Sequence, residues 1–249
     1  MRILLNGCLG RMGRAVAGLA PQRECTVVAG VDVAAGEAAF PVYAHPGDCA
    51  ETVDAVIDFS SPAALAEELS YVTAKGLPLV LCTTGLAEEQ LAAVKEAATR
   101  VPVFFSSNMS LGVAVLAALT KKAAAVLGET FDIEIVEMHH NQKLDAPSGT
   151  ALMLADAARA GVAYEPEYTY DRHTRRQKRD KKEIGIASLR GGTVVGEHSV
   201  VFAGTEEVVT LSHSAQSRSV FAGGALAAAK FLVGKPAGLY SMADMLEDI

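Results

Sequence analysis

Between residues 137 and 150 the chain reads Glu137-Met138-His139-His140-Asn141-Gln142-Lys143-Leu144-Asp145-Ala146-Pro147-Ser148-Gly149-Thr150, which packs two imidazoles, an amine and a Ser-Gly-Thr turn into one short crossing. Histidine titrates nearest neutral pH, and a lysine beside it adds a fixed cation or a second proton donor. Backbone amides at the start of a helix have no intrahelical partner and sit at its positive end, so Ser148, Gly149 and Thr150 suit a carboxylate or phosphate. Gly149 lets such an anion approach without a Cβ in the way, and Pro147 fixes the entry. A dianionic substrate that must receive a proton would fit this set. Plainer readings stand beside it. Ser148 alone is adequately explained as a helix N-cap. Adjacent histidines at a strand end face opposite ways, so one of His139 and His140 is catalytic and the other structural or ligand-orienting, and spacing does not choose between them. A His-His pair with no third ligand at zinc spacing predicts no metal site.

These groups need a strand and a helix to hold them. Residues 131–136 alternate apolar and polar as a half-buried strand, and residues 151–160 have the composition and length of a helix, so the chemistry falls on the connection between the two. A second ligand-binding pattern opens the chain. An apolar run over 2–6 is followed by Gly7, Gly10, Arg11, Met12 and Gly13, then a helical stretch over 14–20 closed by Pro21. Strand, glycine turn and helix begin a dinucleotide-binding domain, although the spacing G-x-x-G-x-x-G departs from the commoner G-x-G-x-x-G. A strand over 26–31 then ends at Asp32, about where an acidic residue meets the adenine ribose hydroxyls. Its charge would repel a 2′-phosphate, and residues 33–36 supply no arginine to offset that, so NADH is expected to serve at least as well as NADPH.

Further apolar runs over 55–60, 77–82 and 103–105 read as parallel strands, each ending in a polar turn and the first two followed by helices. Ligands in such sheets bind beyond the carboxyl ends of the strands, which makes Phe59, Ser60, Thr83, Thr84, Gly85, Ser107, Asn108 and Met109 candidate nicotinamide and ribose contacts. A long helix is predicted over 111–127. The segment 171–183 is the most charged, and with nothing apolar to anchor it a solvated, mobile loop is expected. Strand-like runs over 184–189, 193–202 and 208–213 predict an open, mixed and largely antiparallel sheet that includes the 131–136 strand. An alanine-rich helix over 219–232 follows.

The chain has 249 residues, half of them hydrophobic (50%), enough for one large domain or two small ones. A net charge of −7 argues against a nucleic-acid partner. Nothing resembles a membrane span, and the apolar run at the start is too short for a signal peptide. Cys8, Cys25, Cys49 and Cys82 form no C-x-x-C pair and no disulfide framework, so a reducing cytoplasm is the simplest setting.

The stretch from Glu137 through Ala151 resembles the signature E-x-H-H-x-x-K-x-D-A-P-S-G-T-A of the dihydrodipicolinate reductase family, with every fixed position present. The likeness extends to Gly7-x-x-Gly10-Arg11-Met12-Gly13, to Asp58-Phe59-Ser60-Ser61-Pro62, to Thr83-Thr84-Gly85, to Asn108-Met109-Ser110, and to Arg190-Gly191-Gly192 and Gly196-Glu197-His198. It is weakest over 33–54 and 161–183. Cys82 and Ser106 depart slightly from the family pattern.

This resemblance implies a two-domain α/β oxidoreductase. Residues 1–110 plus 219–249 would form a Rossmann-like dinucleotide-binding domain, and 111–218 a second α+β domain for substrate binding and oligomerisation. It implies NADH- or NADPH-dependent reduction of a cyclic dicarboxylate in lysine biosynthesis, and a homotetramer. By resemblance His139 is the general acid and Lys143 the second proton donor or imine-orienting cation. His140, Ser148, Gly149 and Thr150 would hold the substrate carboxylates, and Arg11 and Met12 would lie against the cofactor phosphates. Rival readings are a cofactor-sensing protein without turnover and another two-domain dehydrogenase. A semialdehyde dehydrogenase would need a cysteine in its catalytic domain, and no cysteine lies beyond Cys82.

Overall fold

In the first third of the chain the strands are short apolar runs buried on both faces, the pattern of a parallel sheet covered by helices. The computed structural model describes residues 1–248 apart from 35 and 107. Two compact units emerge, Met1–Ser110 with Arg218–Ile249, and Leu111–Ser217.

The first unit contains β1 (Arg2–Asn6), α1 (Arg11–Leu19), β2 (Thr26–Val31), β3 (Val42–Tyr43), β4 (Ala55–Asp58), α2 (Leu65–Lys75), β5 (Leu79–Leu81), α3 (Glu88–Ala97) and β6 (Pro102–Phe105). After the second unit the chain returns with α6 (Ser219–Leu232), β12 (Gly238–Tyr240) and α7 (Met242–Glu247). Its sheet runs β12-β6-β5-β4-β1-β2-β3, with every pairing parallel. The strand order reverses between β1 and β4, and such a switch point opens a crevice beyond the carboxyl ends of the strands. One face packs Leu4, Val56, Leu79, Leu81 and Val103 against Leu65, Leu69 and Val72 of α2 and Val94 of α3. On the other side α1 packs against α6, whose alanines Ala222, Ala225, Ala228 and Ala229 are fully buried.

The second unit contains α4 (Leu111–Leu127), β7 (Asp132–His139), α5 (Gly149–Arg159), β8 (Glu167–Thr169), β9 (Glu183–Arg190), β10 (Gly196–Ala203) and β11 (Val208–Ala215). Its sheet is ordered β11-β10-β7-β9-β8. Ala151, Leu154, Ala155 and Ala158 fall at helical spacing on α5 and bury with Ile133, Ile135, Ile184, Ile186, Val200 and Phe202. Truncating one such side chain, for example Leu154→Ala, costs about 2–5 kcal/mol.

Several expectations need correction. The second sheet is mixed but not largely antiparallel: β10 pairs antiparallel with β7 and β11, whereas β9 pairs parallel with β7 and β8. Helix α1 begins at Arg11 rather than at 14, so the last glycine of the loop is already helical. Strand β7 runs on to His139, which makes the first histidine a strand residue rather than part of the connection. The charged segment 171–183 is pinned by ion pairs. Arg172 bridges Glu134 and Glu183, and Arg179 reaches Asp132 and Glu134 and donates to the Ile133 and Glu183 carbonyls. Its anchors are charged partners on β7 and β9.

Candidate active site

Because β7 is the middle strand of its sheet, the residues at its carboxyl end are flanked on both sides. Register sets His139 beside Arg190 of β9, and Glu137 opposite His198 of β10. Glu137 is fully buried, a position a carboxylate occupies only when its oxygens are hydrogen-bonded. Oε2 accepts from His139 Nδ1 at 2.6 Å and from Arg190 Nη1 at 2.9 Å, while Oε1 accepts from Arg190 Nη2 at 2.8 Å and from the Ser148 amide at 3.1 Å. Burial by itself would push the Glu137 carboxyl up. The donors, Arg190 foremost and then His139, Ser188 and the Ser148 amide, outweigh it and hold the carboxyl at about 2.

An ionised Glu137 fixes which imidazole nitrogen does what. His139 donates through Nδ1, so Nε2 is the nitrogen left to exchange a proton. Gly196 leaves room there, since a Cβ on it would come within 3.1 Å of that Nε2. The ring of His198 stands edge-on to His139 with centroids 5.1 Å apart. Burial, helped by the neighbouring His139, lowers His198 to about 4, so it is neutral at physiological pH.

The same network builds the start of α5. Ser148 Oγ accepts from the Ala151 amide at 3.2 Å, the N-cap expected for this residue, and also lies 3.1 Å from His198 Nε2. The Ser148 amide and hydroxyl are therefore both engaged inside the protein, while Gly149 is exposed and Thr150 half-buried at the first positions of α5. A Cβ at Gly149 would meet nothing within 4 Å, so the chain itself does not require glycine there. Lys143 Nζ donates to Asp145 Oδ1 at 2.8 Å, with Asp145 largely exposed, and Arg190 Nη2 donates to the Asp145 carbonyl at 2.7 Å, tying this loop to β9. His140 is half-buried just past the end of β7, and its carbonyl accepts from the Lys143 amide. His139, Lys143, Ser148, Gly149 and Thr150 thus share one end of the second sheet. Glu137, Arg190 and His198 join them without having been singled out by spacing. Their only signal in the sequence was membership of the E-x-H-H, R-G-G and G-E-H matches.

In the first unit, Gly7 adopts a φ of +71° and its Cβ would lie 2.5 Å from the Phe59 carbonyl oxygen, so only glycine fits. A Cβ on Gly13 would strike the Gly7 carbonyl. Gly10 precedes α1 with no side-chain cap, leaving the first amides of that helix to whatever lies in the crevice. Gly7, Gly10, Asp32, Phe59 and Ser60 line one cleft of about 520 Å³. The Asp32 carboxylate accepts from the Leu9 amide at 2.9 Å and the Ala34 amide at 3.0 Å, so it braces the glycine loop as well as facing the cleft. An uncapped helix start, glycines that a Cβ would block and an acidic side chain at the end of β2 fit a dinucleotide. Arg11 is exposed and Met12 half-buried at the first positions of α1.

Thr83, Thr84 and Gly85 follow β5, outside that cleft. The Thr83 hydroxyl is committed to Asp58 Oδ2 at 2.5 Å, while Thr84 and Gly85 are exposed. Asn108 Oδ1 accepts from the Ser110 amide at 2.8 Å, and Met109 is buried. Ser107 lies outside the described residues. Among the described residues no cluster of three or more His, Cys, Asp or Glu is placed to hold a metal ion, and no helix is long and apolar enough to cross a membrane.

Comparison with known proteins gives a consistent result. Residues 1–109 match the family described as dihydrodipicolinate reductase, N-terminus, and residues 112–246 match dihydrodipicolinate reductase, C-terminus. A 4-hydroxy-tetrahydrodipicolinate reductase from Caldanaerobacter subterraneus subsp. tengcongensis is 52% identical over 99% of this chain and 98% of its own length. One from Clostridium tetani is 46% identical over 99% and 97%. Among solved structures, dipicolinate-bound dihydrodipicolinate reductase from Paenisporosarcina sp. TG-14 superposes with a TM-score of 0.82 at 23% identity, covering 99% of both chains.

Proposed function

The chain belongs to the dihydrodipicolinate reductase family, and from that premise we propose that it reduces 4-hydroxy-tetrahydrodipicolinate, by way of dihydrodipicolinate, to tetrahydrodipicolinate in the diaminopimelate route to lysine. It is an NAD(P)H-dependent oxidoreductase. The observation that carries the reading is His139, held through Nδ1 by the buried Glu137 carboxylate, at the end of the second sheet that also carries Lys143 and the Ser148-capped start of α5.

The reduced nicotinamide, when bound, supplies a hydride to the conjugated cyclic imine. The protein must then deliver a proton next to the ring nitrogen, and His139 Nε2 is the donor that its hydrogen bonding leaves available. Lys143 turns from Asp145 to the substrate, where it orients the imine or is the alternative donor of the one proton that the reduction takes up. Asp145 is exposed enough for water to take the lysine's place. The backbones of Gly149 and Thr150 receive one ring carboxylate. Ser148 acts by capping α5, and His140 borders the same carboxylate site. The dipicolinate in the solved relative, a planar ring with two carboxylates, supports a dicarboxylate substrate.

In the first unit, the amides of Arg11, Met12 and Gly13 would hold the pyrophosphate, with Gly7 and Gly10 shaping the loop through the Gly10 amide on the Gly7 carbonyl, and Asp32 the adenine ribose. Residues 33–36 contribute no cation for a 2′-phosphate, so NADH is used at least as well as NADPH. Phe59, Ser60, Thr84, Gly85, Asn108, Met109 and the Thr83 backbone are the remaining cofactor contacts of this reading. Assembly is a homotetramer through the face of the second sheet that carries the exposed Val136 and Leu189, the face opposite the one α4 and α5 cover. Four free cysteines suit a cytoplasmic setting.

The test is NADH oxidation with freshly made 4-hydroxy-tetrahydrodipicolinate. Turnover that depends on this substrate supports the proposal. Tight NADH binding with no turnover would leave a cofactor-binding protein and overturn it.

A further inference from the structure

Two residues that line the cleft in the first unit hold a buried polar atom with no hydrogen-bond partner among the described residues: Asn6 Oδ1 and Glu68 Oε2. The more demanding of them is Glu68. It stands on the first turn of α2, is 1% exposed, and its other oxygen accepts from Asn6 Nδ2 at 2.5 Å. The titratable groups around it are Asp58 on β4 and Cys82 beyond β5, with Asp32, Glu67 and His45 elsewhere on the cleft wall or its rim. None is a cation that would compensate a buried carboxylate. Burial first, and the nearby Asp58 second, push the Glu68 carboxyl well above the ordinary range, and the Asn6 hydrogen bond opposes them only in part.

A carboxyl kept neutral is a donor through one oxygen and an acceptor through the other. Asn6 occupies the acceptor. The remaining O–H belongs to the oxygen that has no partner among the described residues, in a residue that lines the cleft. Ionised, Glu68 would repel the phosphates of a dinucleotide; neutral, it can bind one.

We propose that Glu68 is a protonated carboxylic acid that donates a hydrogen bond from Oε2 to the adenosine half of the bound dinucleotide. The proposal rests on the functional reading above, that this cleft takes NADH or NADPH. The adenosine half is singled out because the cleft runs from the ends of β1 and β2, with Asp32, Val33 and Ala34, to the turn after β4, and excludes the turns after β5 and β6. Adenine ring nitrogens and ribose oxygens supply the acceptors.

The experiment is calorimetric titration of the full-length protein with NADH, ADP-ribose and, as a control, nicotinamide mononucleotide. Infrared difference spectra on ADP-ribose binding accompany it. Glu68→Gln keeps a neutral donor and should bind NADH and ADP-ribose within about threefold of wild type, whereas Glu68→Leu should weaken both by roughly tenfold, the loss of one buried hydrogen bond. Nicotinamide mononucleotide should be unaffected. The wild type should show the carbonyl stretch of a protonated carboxyl that shifts on ADP-ribose binding and vanishes in Glu68→Gln. This arm stands even if Glu68→Leu fails to fold. Absence of that band, or a folded Glu68→Leu that binds ADP-ribose like the wild type, overturns the proposal alone. A wild type that binds neither NADH nor ADP-ribose defeats it together with the functional reading.

Discussion

Arg190 grips both oxygens of Glu137, Nη2 to Oε1 at 2.8 Å and Nη1 to Oε2 at 2.9 Å, from the strand next to it. Bidentate arginine pairs are strong and directional. This one holds a fully buried carboxylate in the single orientation that also receives His139 Nδ1. Glu137→Gln breaks the fork and offers the imidazole a neutral amide. We expect kcat to fall about 10²-fold with a smaller change in KM, the scale at which misorientation of a catalytic group acts. The variant should also lose an acid-sensitive part of stability. The Glu137 carboxyl lies at about 2 against an ordinary 4.5, so its contribution is present above the unfolded value and is lost as pH falls through about 2. Such a shift is worth about 3 kcal/mol. Urea midpoints of wild type and variant should converge between pH 5 and pH 2, to the extent that both stay folded.

His198 acts in a higher window. Its native value is about 4 against 6.5 for a free imidazole, so between those values the unfolded chain takes up a proton that the native chain refuses. Stability should therefore rise with pH across that window, by about 3 kcal/mol in all. His198→Gln should flatten the rise while keeping a polar partner for Ser148. An unchanged slope in the variant would remove His198 as its source.

For the reaction itself, His139→Gln and Lys143→Ala should each lower kcat by about 10² to 10⁴ and raise KM less, as loss of a general acid does. Steady-state rates with either cofactor provide the check. Undiminished turnover in one variant would strip that residue of its role.

Much of this site was legible in one dimension because it lies in one stretch. His139, Lys143 and the Ser148-Gly149-Thr150 turn are close in sequence, and the glycine loop announced the first domain. Helices α4 and α6 also matched their predicted spans, since each is a long alanine-rich run. Glu137, Arg190 and His198 were quoted in motifs without a role, because what joins them is the register of β9 and β10 against β7. No local spacing encodes that. The same reason made 171–183 look solvated: its partners Asp132 and Glu134 lie on a strand that only the fold brings near. Strands β3, β8 and β12, of two or three residues each, are too short to show a period.

Cofactor choice should turn on Asp32. Since its carboxylate also accepts from the Leu9 and Ala34 amides, removing the side chain would loosen the glycine loop for both cofactors. Asp32→Asn removes the charge and keeps an acceptor. Its ratio of kcat/KM for NADPH over NADH should rise several-fold, from a wild-type ratio at or below about one. A wild type strongly preferring NADPH would contradict the reading of residues 33–36.

The most direct measurement is a crystal structure with NADH and pyridine-2,6-dicarboxylate bound. One carboxylate should lie within hydrogen-bonding distance of the Gly149 and Thr150 amides, with Lys143 Nζ released from Asp145 onto the ligand and the ring beside His139 Nε2. A ligand seated away from Lys143 and Thr150 would contradict the account.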